Sequence, residues 1–137
     1  MPFVLDASVV ACWAFADEDH PMADLALERI RIDEAHVPAI WWFEVRNVLL
    51  VNERRKRISE RDTASFLRGL ARLRVAIDRS PDDTEVLMLA RRHRLSVYDA
   101  SYLELARRDG LPLATLDKQL VAAASSVGLT LLKSAAM

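Results

Sequence analysis

Short apolar runs alternate with longer segments of helical period along nearly the whole chain. PFVLD (2–6), AHVPA (35–39), LRVAID (73–78), LPLATL (111–116) and LTLL (129–132) read as strands. Strands that alternate with helices favour a parallel sheet, because parallel neighbours need a crossover between them. Such a sheet is covered by helices on both faces, and its functional residues gather at the carboxyl ends of the strands. The fold class read from this pattern is α/β.

The helical segments carry their own punctuation. Helices are predicted from Ser8 to about Ala16, from Pro21 toward Ile32 and over IWWFEVRNVLLVNERRKR (40–57). Ser59, with Asp62 three positions later, reads as a capping-box start for a helix through about Arg72. SPDD (80–83) predicts Ser80 as N-cap, Pro81 next and acids in the first turn. That helix ends near RRHR (91–94). VYDASYLELARR (97–108) is a helix closed by Asp109 and Gly110, and DKQLVAAASS (117–126) is the last.

Composition narrows the class. With 137 residues, 52% apolar and 28% charged, the chain suits one globular domain spanning 1–137. Its single cysteine, Cys12, excludes an internal disulfide and leaves no cysteine-rich zinc site. MPFVLDASVV lacks a basic leader, and no stretch is long and apolar enough to span a bilayer, so the expected location is the cytoplasm. A formal net charge of −1 gives no overall electrostatic case for nucleic acid. Arginine and lysine nevertheless cluster in NERRKR (52–57), RRHR (91–94) and RR (107–108). They suit solvated helix ends that complement the helix dipole, or a positive track for phosphates.

Four carboxylates stand where such a sheet does its chemistry. Asp6 ends the first strand, Asp117 follows LPLAT, Asp99 opens a helix and Glu44 lies inside one. On the helical wheel Asp99 shares a stripe with Leu103 and Ala106, and Glu44 with Asn47, Val48 and Val51. Burying an unpaired carboxylate costs several kcal/mol, on the order of a small domain's stability margin. Converging acids raise one another's pKa unless a divalent cation keeps them ionised, and an oxygen-rich site without His or Cys suits Mg²⁺ or Mn²⁺. Small polar residues accompany the acids: Ser8, Thr115 and Asn47 are placed to orient a carboxylate or to act as caps.

Structural readings compete. Asp6, Asp99 and Asp117 each suit an ordinary N-cap, and Glu44 a core-edge acid paired with Arg46 or a distant arginine. His20, His36 and His93 share no spacing and read as surface or loop residues. Trp13, Trp41 and Trp42 read as packing residues rather than base-stacking platforms. Other functions compete too. A phosphoacceptor signalling domain or aspartyl phosphatase also sets aspartates at strand ends, and Thr115 with Lys118 mimics its hydroxyl and lysine. Ser8, however, occupies the position of that phosphatase's second acid, and a receiver domain wants paired acids where LDAS supplies one. A non-catalytic module of the same fold is the other rival, which the intact acid set disfavours.

VLDASVV, PAIWWFEVRNVL, LSVYDASYLELARRDGLPLATLDKQL and LTLL together resemble the PIN-domain nucleases, and among them the VapC-type toxins of bacterial toxin–antitoxin pairs. The likeness spans essentially the whole chain in order and spacing. It implies a three-layer α/β/α sandwich with a central, mostly parallel sheet, and an acidic Mg²⁺ or Mn²⁺ pocket with endoribonuclease activity. By motif position Asp6 is the first-strand acid, Glu44 the helix acid with Asn47 completing an ExxN pattern, and Asp99 and Asp117 the third and fourth acids. Ser8 and Thr115 fall where the family has small hydroxyl residues. Asp6 and Asp99 are the expected principal metal ligands, with Glu44 and Asp117 ligating directly or through water. The family mechanism is hydrolysis of the phosphodiester by an activated water, leaving a 5′-phosphate. A homodimer and a cognate antitoxin that blocks the pocket are implied as well.

Overall fold

The computed structural model describes residues 1–134. Its order is β1 (Phe3–Leu5), α1 (Ala7–Ala14), α2 (Pro21–Ile30), β2 (Ala35–Pro38), α3 (Ile40–Arg54), α4 (Glu60–Leu70), β3 (Val75–Asp78), α5 (Asp83–His93), α6 (Val97–Asp109), β4 (Leu113–Ala114) and α7 (Lys118–Ser126). The four strands form one parallel sheet in the order β3-β2-β1-β4, flanked by the helices as an α/β/α sandwich. Phe3, Val4 and Leu5 of β1 are fully buried. A strand buried on both faces needs this unbroken apolar run.

Several predicted boundaries change. The strand expected at 129–132 is reduced to one parallel bridge, Leu113 to Leu131. It is held by Leu113 N–H donating to the Thr130 carbonyl at 3.0 Å and Leu132 N–H donating to the Leu113 carbonyl at 2.9 Å. The third strand starts at Val75 rather than residue 73, and β4 is two residues long. The first helix begins at Ala7, one residue early, and α2 stops at Ile30. Ser80 does not cap α5. Asp82 does, its carboxylate accepting the Glu85 amide at 3.0 Å, and Ser80-Pro81 remains a lead-in. The expected capping box of α4 forms between Ser59 and Asp62. Gly110 ends α6 at φ 65°, a left-handed conformation glycine adopts without a Cβ penalty.

No helix of the described residues is long and apolar enough to cross a membrane. Helix α3 buries Trp41, Val45, Leu49 and Asn52 on one stripe, so Trp41 belongs to the core as expected. Trp13 is half-buried, and its indole N–H donates to the Ala23 carbonyl at 2.8 Å. Trp42 departs from the packing expectation. It is 44% exposed, with the Arg46 guanidinium 4.0 Å over its ring and Phe43 edge-on.

Candidate active site

At β1 the sheet changes direction of growth: β2 lies on one side and β4, from much later in the chain, on the other. Chains leaving adjacent strands at such a switch point part and open a crevice at the carboxyl ends. Leu5 pairs with Ala114 there, so Asp6 and Thr115 emerge side by side.

Asp6 is the N-cap residue of α1 by position, yet its side chain makes no capping bond. Instead its Oδ2 accepts from Ser8 Oγ at 2.7 Å and from Thr115 Oγ1 at 2.7 Å. Both hydroxyls are tied in turn to the β4–α7 loop. Ser8 Oγ accepts the Leu116 amide and Thr115 Oγ1 the Asp117 amide, each at 3.0 Å. A carboxylate only 5% exposed is thus fixed in orientation by two donors that favour its ionised form. The N-cap reading of Asp6 is replaced by this arrangement.

The other acids surround it. Asp99 is not a cap either. Ser96 caps α6, its hydroxyl accepting the Asp99 amide at 3.0 Å, and the half-buried Asp99 carboxylate is left free for other work. Asp117 does cap α7, one oxygen accepting the Gln119 and Leu120 amides at 2.8 and 3.2 Å. That leaves its second oxygen uncommitted to the cap. Glu44 is not paired with Arg46, whose guanidinium donates to the Trp42 carbonyl at 3.1 Å. Its partner is the Tyr102 hydroxyl, which donates to Oε1 at 2.5 Å.

Tyr102 is a site residue that the sequence reading missed. It is fully buried and lies three positions after Asp99, on the same face of α6. A buried phenol requires a hydrogen-bond partner, and that was the available signal. Burial first, then the charges of Asp6 and Glu44, hold its pKa far above the usual value, so it stays a donor.

The acids share one electrostatic field. Burial pushes Asp6 up, Asp99 and Asp117 add to the push, and Ser8 and Thr115 oppose it. Burial likewise raises Glu44, with Asp6 and Asp99 contributing and Tyr102 opposing. Asp99 is raised by burial and then by Asp117, against the Ser96 bond. The set is all oxygen and hard, and its repulsion is what a divalent cation reverses, so the donor chemistry fits Mg²⁺ or Mn²⁺. Among the described residues, however, no three Asp, Glu, His or Cys side chains stand close enough to hold an ion as they are. Binding one requires the carboxylates to draw in. Asn47 is exposed, and no hydrogen bond ties it to the acids among the described residues.

The remaining polar candidates sort differently. Arg57 donates to Asp17 at 2.9 and 3.0 Å and to Asn52 at 2.7 Å. Arg108 grips Asp78 at 2.8 and 3.0 Å and the buried Glu104 at 2.8 Å, and Arg107 reaches Glu85 at 3.3 Å. Arg57 and Arg108 are held in ion pairs across elements, while the Arg107 pair lies at the surface. Arg54, Arg55, Lys56, Arg91, Arg92 and Arg94 remain exposed. His20 is a surface residue whose ring accepts the Met22 amide as the cap of α2. His36 is instead half-buried between Glu34 and Asp109, and His93 partly buried with Nε2 unpartnered.

The PIN domain family model matches residues 3–125. The chain belongs to the PIN-domain family. Ribonuclease VapC3 of Pyrobaculum aerophilum is 33% identical over 124 residues, 88% of this chain and 92% of that protein. The crystal structure of PAE2754 from Pyrobaculum aerophilum superposes with a TM-score of 0.69 at 26% identity, covering 90% of this chain and 87% of that one. VapC20 of Mycobacterium tuberculosis, a toxin that cleaves the sarcin-ricin loop, shares the fold with a TM-score of 0.62 at 14% identity, covering 96% and 98%. The acids at the carboxyl ends of β1 and β4 thus lie within the part of the chain that the PIN family model matches.

Proposed function

We propose that this PIN domain is a divalent-metal-dependent endoribonuclease that acts as the toxin of a toxin–antitoxin pair. The observation that carries the reading is the buried Asp6 carboxylate, oriented by Ser8 and Thr115 and sharing one field with Glu44, Asp99 and Asp117. Membership of the PIN family and the likeness to a relative named a ribonuclease support it.

In this reading Asp6 and Asp99 hold Mg²⁺ or Mn²⁺, with Glu44 and Asp117 ligating directly or through water. When bound, the ion supplies Lewis acidity toward water and the scissile phosphate. The chain's own residues do the rest. Ser8 and Thr115 orient the Asp6 carboxylate through Oδ2 and favour its ionised form. Tyr102 does the same for Glu44, and Asp117 couples the start of α7 to the site. Unpaired RNA is the natural substrate, because a splayed strand reaches a recessed site. A single domain over 1–137, a cytoplasmic location, a homodimer and a cognate antitoxin complete the proposal. The phosphoacceptor rival fares worse, because Ser8 stands where that site wants a second acid and instead donates to Asp6, and the chain matches the PIN family model.

Sequencing of RNA 5′ ends after induced expression tests it, with Asp6→Asn alongside. New 5′-phosphate ends that appear with the unsubstituted protein and vanish with Asp6→Asn are expected. Identical end profiles from the two overturn the reading.

A further inference from the structure

Two exposed aromatic residues each stand one position before a site acid. Phe43 precedes Glu44 on α3 and is 62% exposed, and Tyr98 precedes Asp99 on α6 and is 59% exposed. Both line a single open groove of about 490 Å³, with Val97 and Pro81 on its wall. The volume lies within the range of about 300–1,000 Å³ usual for small-ligand sites. Aromatic rings left more than half exposed carry apolar area with few contacts, and paired on one groove they form a surface suited to a flat apolar partner.

Charge narrows the choice of partner. The groove's lining includes Asp78 and Arg79. Asp78 is engaged by the bidentate bond from Arg108, which it shares with Glu104 and whose hydrogen bonds hold its carboxyl below the usual range. Arg79 has no carboxylate within salt-bridge distance among the described residues. The groove therefore offers two aromatic faces and the Arg79 guanidinium, and the residues that follow Phe43 and Tyr98 in the chain are the site acids Glu44 and Asp99. A nucleotide presents the matching chemistry: a planar base and a phosphate.

We propose that this groove is a stacking subsite for an unpaired base of single-stranded RNA next to the scissile phosphate, with Tyr98 and Phe43 as its platforms and Arg79 on the adjoining phosphate. The inference rests on the nuclease reading and names where its substrate lies. Tyr98 and Phe43 set substrate affinity and touch the base, while the acids act on the backbone.

The test is steady-state cleavage of a single-stranded RNA oligonucleotide in Mn²⁺ by the unsubstituted protein, Tyr98→Ala, Phe43→Ala and Tyr98→Phe. Loss of one stacking contact, about 1–3 kcal/mol, raises KM by roughly 5- to 150-fold in either alanine variant, with kcat moved far less. Tyr98→Phe keeps the ring and brings KM back toward the starting value. In an Asp99→Asn background, which leaves RNA uncut, a 2-aminopurine base beside the cleavage site is quenched on binding, and Tyr98→Ala relieves the quenching. Circular dichroism verifies that each variant is folded. An unmoved KM with unchanged quenching overturns the subsite. So does a changed sedimentation coefficient in the alanine variants with KM unmoved, which assigns the groove to a protein contact. If the unsubstituted protein cleaves no RNA the nuclease reading itself fails, whereas cleavage with an indifferent Tyr98→Ala fails the groove alone.

Discussion

Thr115→Val isolates the bond that organises the site. The side chain is buried, and valine nearly reproduces its shape. Two interactions vanish: the 2.7 Å donation to Asp6 Oδ2 and the 3.0 Å acceptance of the Asp117 amide. A hydrogen bond to a charged group contributes about 1.5–3 kcal/mol, and an amide left without its acceptor costs about 1–3 kcal/mol. Ser8 still donates to the same oxygen, which tempers the sum to about 2–4 kcal/mol. For a chain of 137 residues that lowers Tm by roughly 6–16 °C. The sign with pH follows from Asp6. Its folded pKa already lies above the ordinary 3.8, so its contribution is fully present below 3.8 and is lost as pH rises through the folded value. Without Thr115 the carboxylate rises further and the loss deepens. The cost of the substitution is therefore largest at pH 7.5 and shrinks toward pH 4, where only the amide part survives. Urea unfolding of both proteins in EDTA across this range measures it. A cost below about 0.5 kcal/mol at pH 7.5, or one that does not change with pH, refutes the reasoning.

Further perturbations probe the surroundings. Tyr102→Phe removes the donor to Glu44, and the expected result is about 1.5–3 kcal/mol of lost stability and a cleavage rate down by roughly tenfold, read by unfolding and initial rates. Arg108→Ala leaves Glu104, 2% exposed, without its partner. A destabilisation of about 3 kcal/mol is expected, with specific activity of the folded protein retained; a selective loss of RNA affinity would instead make Arg108 a phosphate contact. Burial and mutual repulsion raise Asp6, Glu44 and Asp99 together, so metal-free protein should melt higher as pH falls from 7.5 toward 5. Mn²⁺ at 100 times its Kd adds about 2.7 kcal/mol, roughly 8–11 °C at pH 7.5, and Asp6→Asn abolishes most of that gain.

The sheet class was legible because a parallel strand buried on both faces must be continuously apolar, as Phe3, Val4 and Leu5 are. Asp6, Ser8 and Thr115 were legible because they break such runs where the sheet opens. Strand extent was not legible. LTLL is as apolar as β1, but it lies at the sheet margin, where one bridge to Leu113 suffices. Trp42 misled because a helix wheel gives relative directions and not which stripe another layer covers; α3 buries the Trp41 stripe instead. Tyr102 was hidden inside an apolar stripe, and only tertiary structure brings its hydroxyl 58 residues back to Glu44. The arginine clusters were ambiguous for a similar reason, since the partners of Arg57 and Arg108 lie on other elements.

The central claim is that the acids around Asp6 form a metal-dependent RNA-cleaving site. The most direct measurement is cleavage of an end-labelled RNA by purified protein in Mn²⁺ and in EDTA, with Asp99→Asn as the control. Asp99 is half-buried, accepts no capping bond and bears on both Asp6 and Glu44, so its replacement spares the fold and disables the site. The account predicts internal cleavage with 5′-phosphate ends in Mn²⁺ alone, and none from Asp99→Asn. Cleavage that persists in EDTA, or that Asp99→Asn performs undiminished, contradicts it.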